Sequence, residues 1–212
     1  MKTAIVTGGT KRLGLAISSR LRTDGWRVLT TSHRADAGAD IVADLSSPSG
    51  AAALYAEALR ALGGTPPDAL VNNAAILTGD DNEIKTVNLE SPKKLTILMA
   101  GREHGRGAVV NILDAGILSP SQGGSPSSYE ASKRELLEFT AKSAVMFAET
   151  LRVNAVAPGP VIAPEEMHMK AGENLIGRPT AEAVADAVSF LLSASSTTGF
   201  TIPVDGGQHL IA

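Results

Sequence analysis

Short apolar runs alternate with longer segments in which apolar residues recur at helical spacing along the 212-residue chain. The apolar runs are nearly continuous and rich in Val, Ile and Ala, which is typical of strands buried on both faces. They predict seven strands at residues 3–7, 27–31, 40–43, 69–71, 108–113, 152–157 and 200–204. The helical spacing predicts five helices at residues 13–23, 49–62, 83–102, 126–148 and 181–193.

This alternation predicts the fold class and the number of domains. Strands that are each followed by a helix form a parallel sheet with helices on both faces, that is, a doubly wound α/β fold. The chain shows no internal repeat and no linker, so residues 1–212 are predicted to form a single domain. The longest connection without a predicted element spans residues 158–180, and we expect it to act as a substrate loop.

Composition excludes several classes of function. The chain has no Cys, which rules out disulfides, thiol catalysis and thiolate metal sites and fits a cytoplasmic localisation. Lys and Arg number 19 against 22 Asp and Glu, and no basic stripe predicts a nucleic-acid partner. No apolar run approaches the roughly 20 residues of a membrane helix. Aromatic residues make up only 3% of the chain.

A glycine-rich turn, TGGTKRLG over residues 7–14, follows the first predicted strand and leads directly into a helix. Gly8 permits a tight turn and Gly14 lets the helix pack closely, while the free N–H groups of the helix start can bind a pyrophosphate. The spacing departs from Gly-x-Gly-x-x-Gly because Arg12 stands where a central glycine is usual. A glycine-rich turn without a ligand is the alternative.

Four basic residues are predicted to surround the adenosine end of such a nucleotide. They are Lys11, Arg12, His33 and Arg34, and no acidic residue follows the second strand until Asp36. An acidic residue at this place binds the ribose hydroxyls of NAD, whereas cations suit the 2′-phosphate of NADP. The pattern therefore favours NADP(H) as cofactor. The alternative is a set of four solvated surface cations.

Asp44 and Leu45 follow the third predicted strand. At this place a carboxylate can face the adenine of a dinucleotide. The alternative is that Asp44 caps the next helix.

Tyr129 and Lys133 lie one turn apart on the helix predicted at residues 126–148. An ammonium near a phenol lowers the phenol's pKa from about 10, which favours proton transfer near neutral pH. Tyr129 is therefore a candidate general acid or base. The pair gains weight because it follows a nucleotide-binding pattern.

These motifs together resemble the short-chain dehydrogenase/reductase family over essentially the whole chain. The resemblance implies a Rossmann-like sheet with strand order 3-2-1-4-5-6-7 and a homo-oligomer, a dimer or a tetramer. It also implies hydride transfer between a nicotinamide and a carbonyl-type carbon of a small-molecule substrate. The motifs are residues 7–14, Asp44, residues 72–75 (NNAA), Asn88, residues 111–116, 129–133 (YEASK), 152–159 (RVNAVAPG) and 204–207 (VDGG).

The resemblance also implies roles for individual residues. Tyr129 would be the acid or base, Lys133 would hold the nicotinamide ribose and tune Tyr129, and Asn88 would support a proton-relay water. Pro158 and Gly159 would cover the nicotinamide. The residues expected to contact the cofactor are Gly8, Thr10, Lys11, Arg12, Leu13, Gly14, His33, Arg34, Asp44, Leu45, Asn72, Asn73, Ala74, Tyr129, Lys133, Pro158, Gly159 and Val161.

One departure from the family pattern changes the predicted chemistry. Asp114 stands where the family places a catalytic serine, and together with Arg12, His33 and Arg34 it resembles the pteridine reductase branch, which uses NADPH. An ionised Asp114 would raise the pKa of Tyr129 and oppose Lys133. We hypothesise that Asp114 and Tyr129 together protonate a C=N or C=O group, and the alternative is that Asp114 only fixes a loop.

Three functions follow from this pattern. The first is an NADPH-dependent reductase of a small molecule, such as a pterin. The second is a short-chain reductase or dehydrogenase of another ketone, aldehyde or imine, and the third is a non-catalytic NADP-sensing protein. The few aromatic side chains argue against a pterin, which normally stacks on an aromatic ring.

Overall fold

The computed structural model of the protein describes residues 1–103, 105–119, 125–161 and 175–211, and within these ranges seven parallel strands form one sheet. Most of the predicted substrate loop, residues 162–174, lies outside the described residues. The sheet order β3-β2-β1-β4-β5-β6-β7 confirms the predicted Rossmann-like α/β fold. The strands are β1 (Thr3–Val6), β2 (Arg27–Ser32), β3 (Ile41–Val42), β4 (Ala69–Asn72), β5 (Gly107–Ile112), β6 (Leu151–Pro158) and β7 (Thr201–Val204).

Helices cover both faces of this sheet. They are α1 (Arg12–Thr23), α2 (Gly50–Ala61), α3 (Asp81–Lys85), α4 (Ser91–Ala100), α5 (Ser128–Met146) and α6 (Ala181–Ser193). Neighbouring strand residues point to opposite faces: Val6 packs in the core beneath α1 and α6, and Ile5 packs in the core beneath α2 and α4. Since both faces are buried, the strands read as continuous apolar runs in the sequence.

The helix predicted at residues 83–102 is interrupted. A π-helical turn, Thr86–Glu90, separates α3 from α4. Inside it lies Asn88, which is fully buried, accepts a 2.9 Å hydrogen bond from the Ile76 N–H and donates one of 2.9 Å to the Ile76 carbonyl. The turn therefore brings the amide side chain to the loop that follows β4.

The buried Arg152 on β6 links this strand to the end of α6 and to the segment that leads into β7. Its guanidinium donates hydrogen bonds to the carbonyls of Leu191 (2.8 Å), Leu192 (2.9 Å) and Thr197 (3.2 Å). The first two carbonyls belong to the last turn of α6, which has no partners for them within the helix. Arg152 therefore caps α6 and fixes the connection from α6 to β7.

Neither a membrane-spanning helix nor a cluster of metal ligands occurs among the described residues. No helix among them has both the length and the hydropathy to span a bilayer. In the same part of the chain, no three His, Asp or Glu side chains come together as metal ligands would.

Candidate active site

A cavity of about 580 Å³ opens at the carboxyl ends of the central strands, the edge at which doubly wound sheets bind ligands. Most of the residues predicted for the site line it. They are Gly8, Thr10, Lys11, Arg12, Leu13, Gly14, His33, Asp44, Leu45, Asn73, Ala74, Asp114, Tyr129, Lys133, Pro158, Gly159 and Val161.

In the loop between β1 and α1, backbone segments lie very close to one another. Gly8 has φ +62°, and a Cβ on Gly14 would lie 2.1 Å from the Gly8 carbonyl oxygen. Asn73 holds the loop by donating to the carbonyls of Thr7 (2.9 Å) and Gly8 (3.3 Å). The N-cap residue of α1 makes no side-chain cap bond, and the residues of the helix start line the cavity, so their N–H groups are available to a ligand there.

Arg12 adopts a left-handed backbone with φ 49°, and it is the one residue other than glycine with positive φ in the part of the chain that the structure describes. This conformation costs a residue with a Cβ about 1–2 kcal/mol. The loop therefore requires here the geometry that a glycine would normally provide. An arginine at this position places a guanidinium on the cavity wall.

The end of the cavity at which the adenosine of a dinucleotide is expected holds both signs of charge. Lys11, Arg12 and His33 line it, whereas Arg34 is exposed and is not among the lining residues. Asp44 also lines it, and two hydrogen bonds from Ser46, together with the nearby His33, hold the pKa of Asp44 below its usual value. Because the carboxylate binds Ser46 within its own turn, it does not cap α2.

Asp114 and Tyr129 form the centre of the site. The Tyr129 hydroxyl donates a 3.0 Å hydrogen bond to Oδ2 of Asp114, while Oδ1 accepts a 2.8 Å bond from the Gly116 N–H. The second bond caps a 3₁₀ turn, Ala115–Ile117. Asp114 therefore fixes its loop and also contacts the phenol, while its part in protonating a substrate stays a prediction.

Lys133 lies behind this pair and is almost completely buried. Its ammonium donates a 2.8 Å hydrogen bond to the Ile112 carbonyl and lies 5.8 Å from the centre of the Tyr129 ring. Burial lowers the pKa of Lys133 to about 8, although the Asp114 carboxylate opposes the change. The lysine is thus held in a fixed position at the floor of the cavity.

The expectation that Lys133 lowers the pKa of Tyr129 is wrong for the protein without cofactor. Burial of the phenol, and then the charge and hydrogen bond of Asp114, raise the pKa of Tyr129 well above its usual value. The predicted opposition from Asp114 is confirmed. The phenol therefore keeps its proton at neutral pH and is suited to act as an acid.

Two predicted residues, Asn72 and Asn88, lie behind the cavity wall. The expectation that Asn72 contacts the cofactor is wrong, because its buried amide donates to Oδ1 of Asn111 at 2.8 Å, and Asn111 in turn donates to Thr140. Asn88 is also absent from the lining, since both ends of its amide bind the backbone of Ile76. By binding this backbone, the Asn88 side chain fixes the part of the cavity wall that Ile76 forms.

Several lining residues belong to no motif in the sequence. Ile76, Leu113 and Pro160 add apolar surface, and Glu83 adds a carboxylate. Glu83 and Val87 lie four residues apart on the interrupted helix, which places them on one face. A search for helix faces that carry one acidic residue among apolar ones would have found this pair.

Known proteins are similar to this chain over most of its length. The family model described as short chain dehydrogenase matches residues 2–174. "Dehydrogenase/reductase SDR family member 4" of Homo sapiens is 32% identical, covering 97% of this chain and 87% of that protein. "3-oxoacyl-[acyl-carrier-protein] reductase FabG" of Pseudomonas aeruginosa is 29% identical, covering 99% of this chain and 98% of the relative.

A solved structure is similar over the entire length. "FolM Alternative dihydrofolate reductase 1" from Brucella canis, complexed with NADP, superposes with a TM-score of 0.87 at 29% identity and covers 100% of this chain and 95% of its own. The relatives carry varied names. They therefore identify the family but do not identify a substrate. The chain belongs to the short-chain dehydrogenase/reductase family of oxidoreductases.

Proposed function

We propose that the protein is an NADPH-dependent reductase that adds a hydride to the carbon of a C=O or C=N group in a small molecule. The observation that carries this proposal is the 3.0 Å hydrogen bond from Tyr129 to Asp114 above the buried Lys133. Such an arrangement of phenol, carboxylate and ammonium is an acid–base centre, which a protein that only senses a nucleotide does not need. For this reason we favour the enzyme over the sensor.

The residues of the cavity fit a dinucleotide phosphate. The uncapped start of α1 and the close contact of Gly14 with Gly8 leave room for a pyrophosphate against backbone N–H groups. Lys11, Arg12 and His33 would hold the 2′-phosphate of the cofactor, a preference supported by the NADP complex of the similar structure. When bound, NADPH supplies the hydride.

The side chains of this chain would then supply the proton. Tyr129 holds a proton on its hydroxyl, and the lining places that hydroxyl in the cavity with Asp114. As the substrate carbon receives the hydride, its oxygen or nitrogen gains negative charge and takes the phenol proton. The ammonium of Lys133 stabilises the resulting phenolate, and Asp114 orients the phenol beforehand.

The test is a comparison of variants under single turnover, with NADPH loss followed against a panel of dihydropterins, ketones, aldehydes and imines. Tyr129→Phe should retain NADPH binding but lose turnover by about 100-fold or more. Asp114→Ser restores the family's usual residue and should slow hydride transfer on the true substrate. Turnover that survives in Tyr129→Phe, or an unchanged rate in Asp114→Ser, would contradict the assigned roles.

A pterin is the second candidate substrate. The likeness to the dihydrofolate reductase from Brucella canis and the carboxylate of Asp114 favour it. The scarcity of aromatic residues argues against a pterin. Of one Trp, two Tyr and four Phe, only Tyr129 is among the described residues that line the cavity. Residues 120–124 and 162–174 contain no Phe, Tyr or Trp. A dihydropterin that turns over faster than every aliphatic ketone and imine in the panel would decide for it.

We also propose, from the family resemblance, a cytoplasmic homo-oligomer. Apolar side chains exposed at the end of α5, such as Val145 and Met146, are available for contacts between chains. Sedimentation velocity of the purified chain would separate a dimer or tetramer from a monomer.

A further inference from the structure

The turn that follows β7 contacts the cavity wall from behind. The Gly159 N–H donates a 2.9 Å hydrogen bond to the Val204 carbonyl, and a Cβ on Gly159 would lie 2.9 Å from the Cα of Asp205. Gly159 lines the cavity. Asp205 therefore supports directly a residue that we expect to face the nicotinamide.

Asp205 is a buried carboxylate bound by several donors. Oδ1 accepts a 3.0 Å bond from the Gly207 N–H, and Oδ2 accepts a 2.8 Å bond from the His209 N–H. Nδ1 of the His209 ring lies 2.7 Å from the same oxygen, with the ring about three-quarters buried. Burial tends to raise the pKa of Asp205, but these donors outweigh it and lower the pKa, so the carboxylate is ionised at neutral pH.

The ring of His209 belongs to a short C-terminal 3₁₀ turn, Gln208–Leu210. This turn packs against the 3₁₀ turn Ala115–Ile117, whose Gly116 N–H is capped by Asp114. On its other side, the Ala115–Ile117 turn is held by Arg134, which donates a 2.9 Å hydrogen bond to the Ile117 carbonyl. The loop that carries Asp114 is thus supported from α5 and from the C-terminal turn.

We propose that Asp205 and His209 are positioning residues for the Asp114–Tyr129 pair. Their hydrogen bonds fix the C-terminal turn, the turn fixes the loop of Asp114, and the loop sets the contact between carboxylate and phenol. Neither residue lines the cavity. The proposal deepens the proposed function, because it concerns the acid–base centre of that same site.

The ionisation of Tyr129 tests this inference without any turnover. The chain has two tyrosines, so Tyr55→Phe leaves Tyr129 as the one phenol that titrates. Tyrosinate absorbance would be recorded in this background after rapid pH jumps on the cofactor-free protein. Asp114→Asn sets the scale, since removing the carboxylate should lower the midpoint of the Tyr129 ionisation by about one pH unit or more.

The expected midpoint depends on whether the side chain at residue 209 has a hydrogen-bond donor. His209→Leu removes the ring donor and should lower the Tyr129 midpoint by a substantial part of the Asp114→Asn change, whereas His209→Asn keeps a donor near the position of Nδ1 and should restore it. Leu210→Ala, an exposed change in the same turn, is the matched control and should leave the midpoint unchanged. His209→Ala carries the same expectation as His209→Leu if the latter does not fold.

Kinetics supply a second reading. In His209→Leu, kcat should fall about tenfold while the Kd for NADPH stays within about twofold, because the pair shifts and the phosphate loop does not. An unchanged Tyr129 midpoint in His209→Leu, or an equal fall in Leu210→Ala, would overturn the inference. Absence of any turnover in the wild-type chain would instead count against the proposed function, because the titration does not depend on it.

Discussion

Replacing Lys133 by Met should make the cofactor-free protein more stable at neutral pH while abolishing its reductase activity. Lys133 is 3% exposed, and its ammonium has one described hydrogen bond, to the Ile112 carbonyl. Burial lowers its pKa from 10.5 to about 8. Below about pH 8 the folded protein must therefore hold a charge that the unfolded chain leaves in water.

The magnitude follows from the linkage between protonation and folding. Between about pH 8 and 10.5 the unfolded chain keeps the proton and the folded protein has lost it, so wild-type stability rises with pH in this window. The difference between the two pKa values corresponds to about 3 kcal/mol. Met removes this cost but leaves the Ile112 carbonyl without its donor, a loss of about 1–2 kcal/mol. The net gain at pH 7 is about 1–2 kcal/mol.

Urea unfolding of the cofactor-free protein at pH 7 and near pH 10 measures both parts of this reasoning. The advantage of Lys133→Met should be present at pH 7 and absent or reversed near pH 10. Lys142→Met, on the exposed side of α5 and paired with Glu138, is the matched control and should change stability by less than about 0.5 kcal/mol at either pH. A Lys133→Met protein that is less stable than wild type at pH 7, or equally favoured at both pH values, would refute the account.

Three further substitutions test the cofactor loop and the sheet. Gly14→Ala places a Cβ within 2.1 Å of the Gly8 carbonyl and should cost about 2–3 kcal/mol in urea unfolding and raise the Kd for NADPH at least about tenfold. Arg12→Gly relieves a φ of 49°, so it should add about 1 kcal/mol of stability while reducing the preference for NADPH over NADH about tenfold in fluorescence titrations. Arg152→Met leaves the carbonyls of Leu191 and Leu192 without donors, whereas the Thr197 carbonyl keeps its bond from Asn154, and should lower the free energy of unfolding by about 2–3 kcal/mol, measured by the same urea titration. Unchanged Kd values in the first two variants, or unchanged stability in the third, would contradict these readings.

The arrangement of strands and helices was largely predictable, because strands buried on both faces consist of nearly continuous apolar residues. The ends of the helix predicted at residues 83–102 were close, but its interruption was not foreseen. The interruption contains Asn88, whose amide makes a pair of hydrogen bonds with Ile76, 12 residues away along the chain. Periodicity within a helix carries no information about such a contact with a loop.

The candidate site was predictable in its membership and less so in its electrostatics. Motif positions placed Asp114, Tyr129 and Lys133 in one cavity. The direction of the change in the pKa of Tyr129 depends on how deeply the phenol is buried and on which charge lies nearer, and neither quantity can be read from spacing. Asn72 shows the same limit: the motif predicted its neighbourhood, but its amide turns toward Asn111 on the next strand.

The strand order also constrains how the chain folds as it is synthesised. β1 lies between β2 and β4, and the contact of Thr3 with Asp68 joins positions 65 residues apart. Until β4 has been made, one edge of β1 presents unpaired N–H and C=O groups, and closing so long a stretch of chain makes folding slow. A nascent chain that stops before Asn72 therefore carries an open strand edge, so the first third of the molecule depends on prompt arrival of β4 to avoid aggregation.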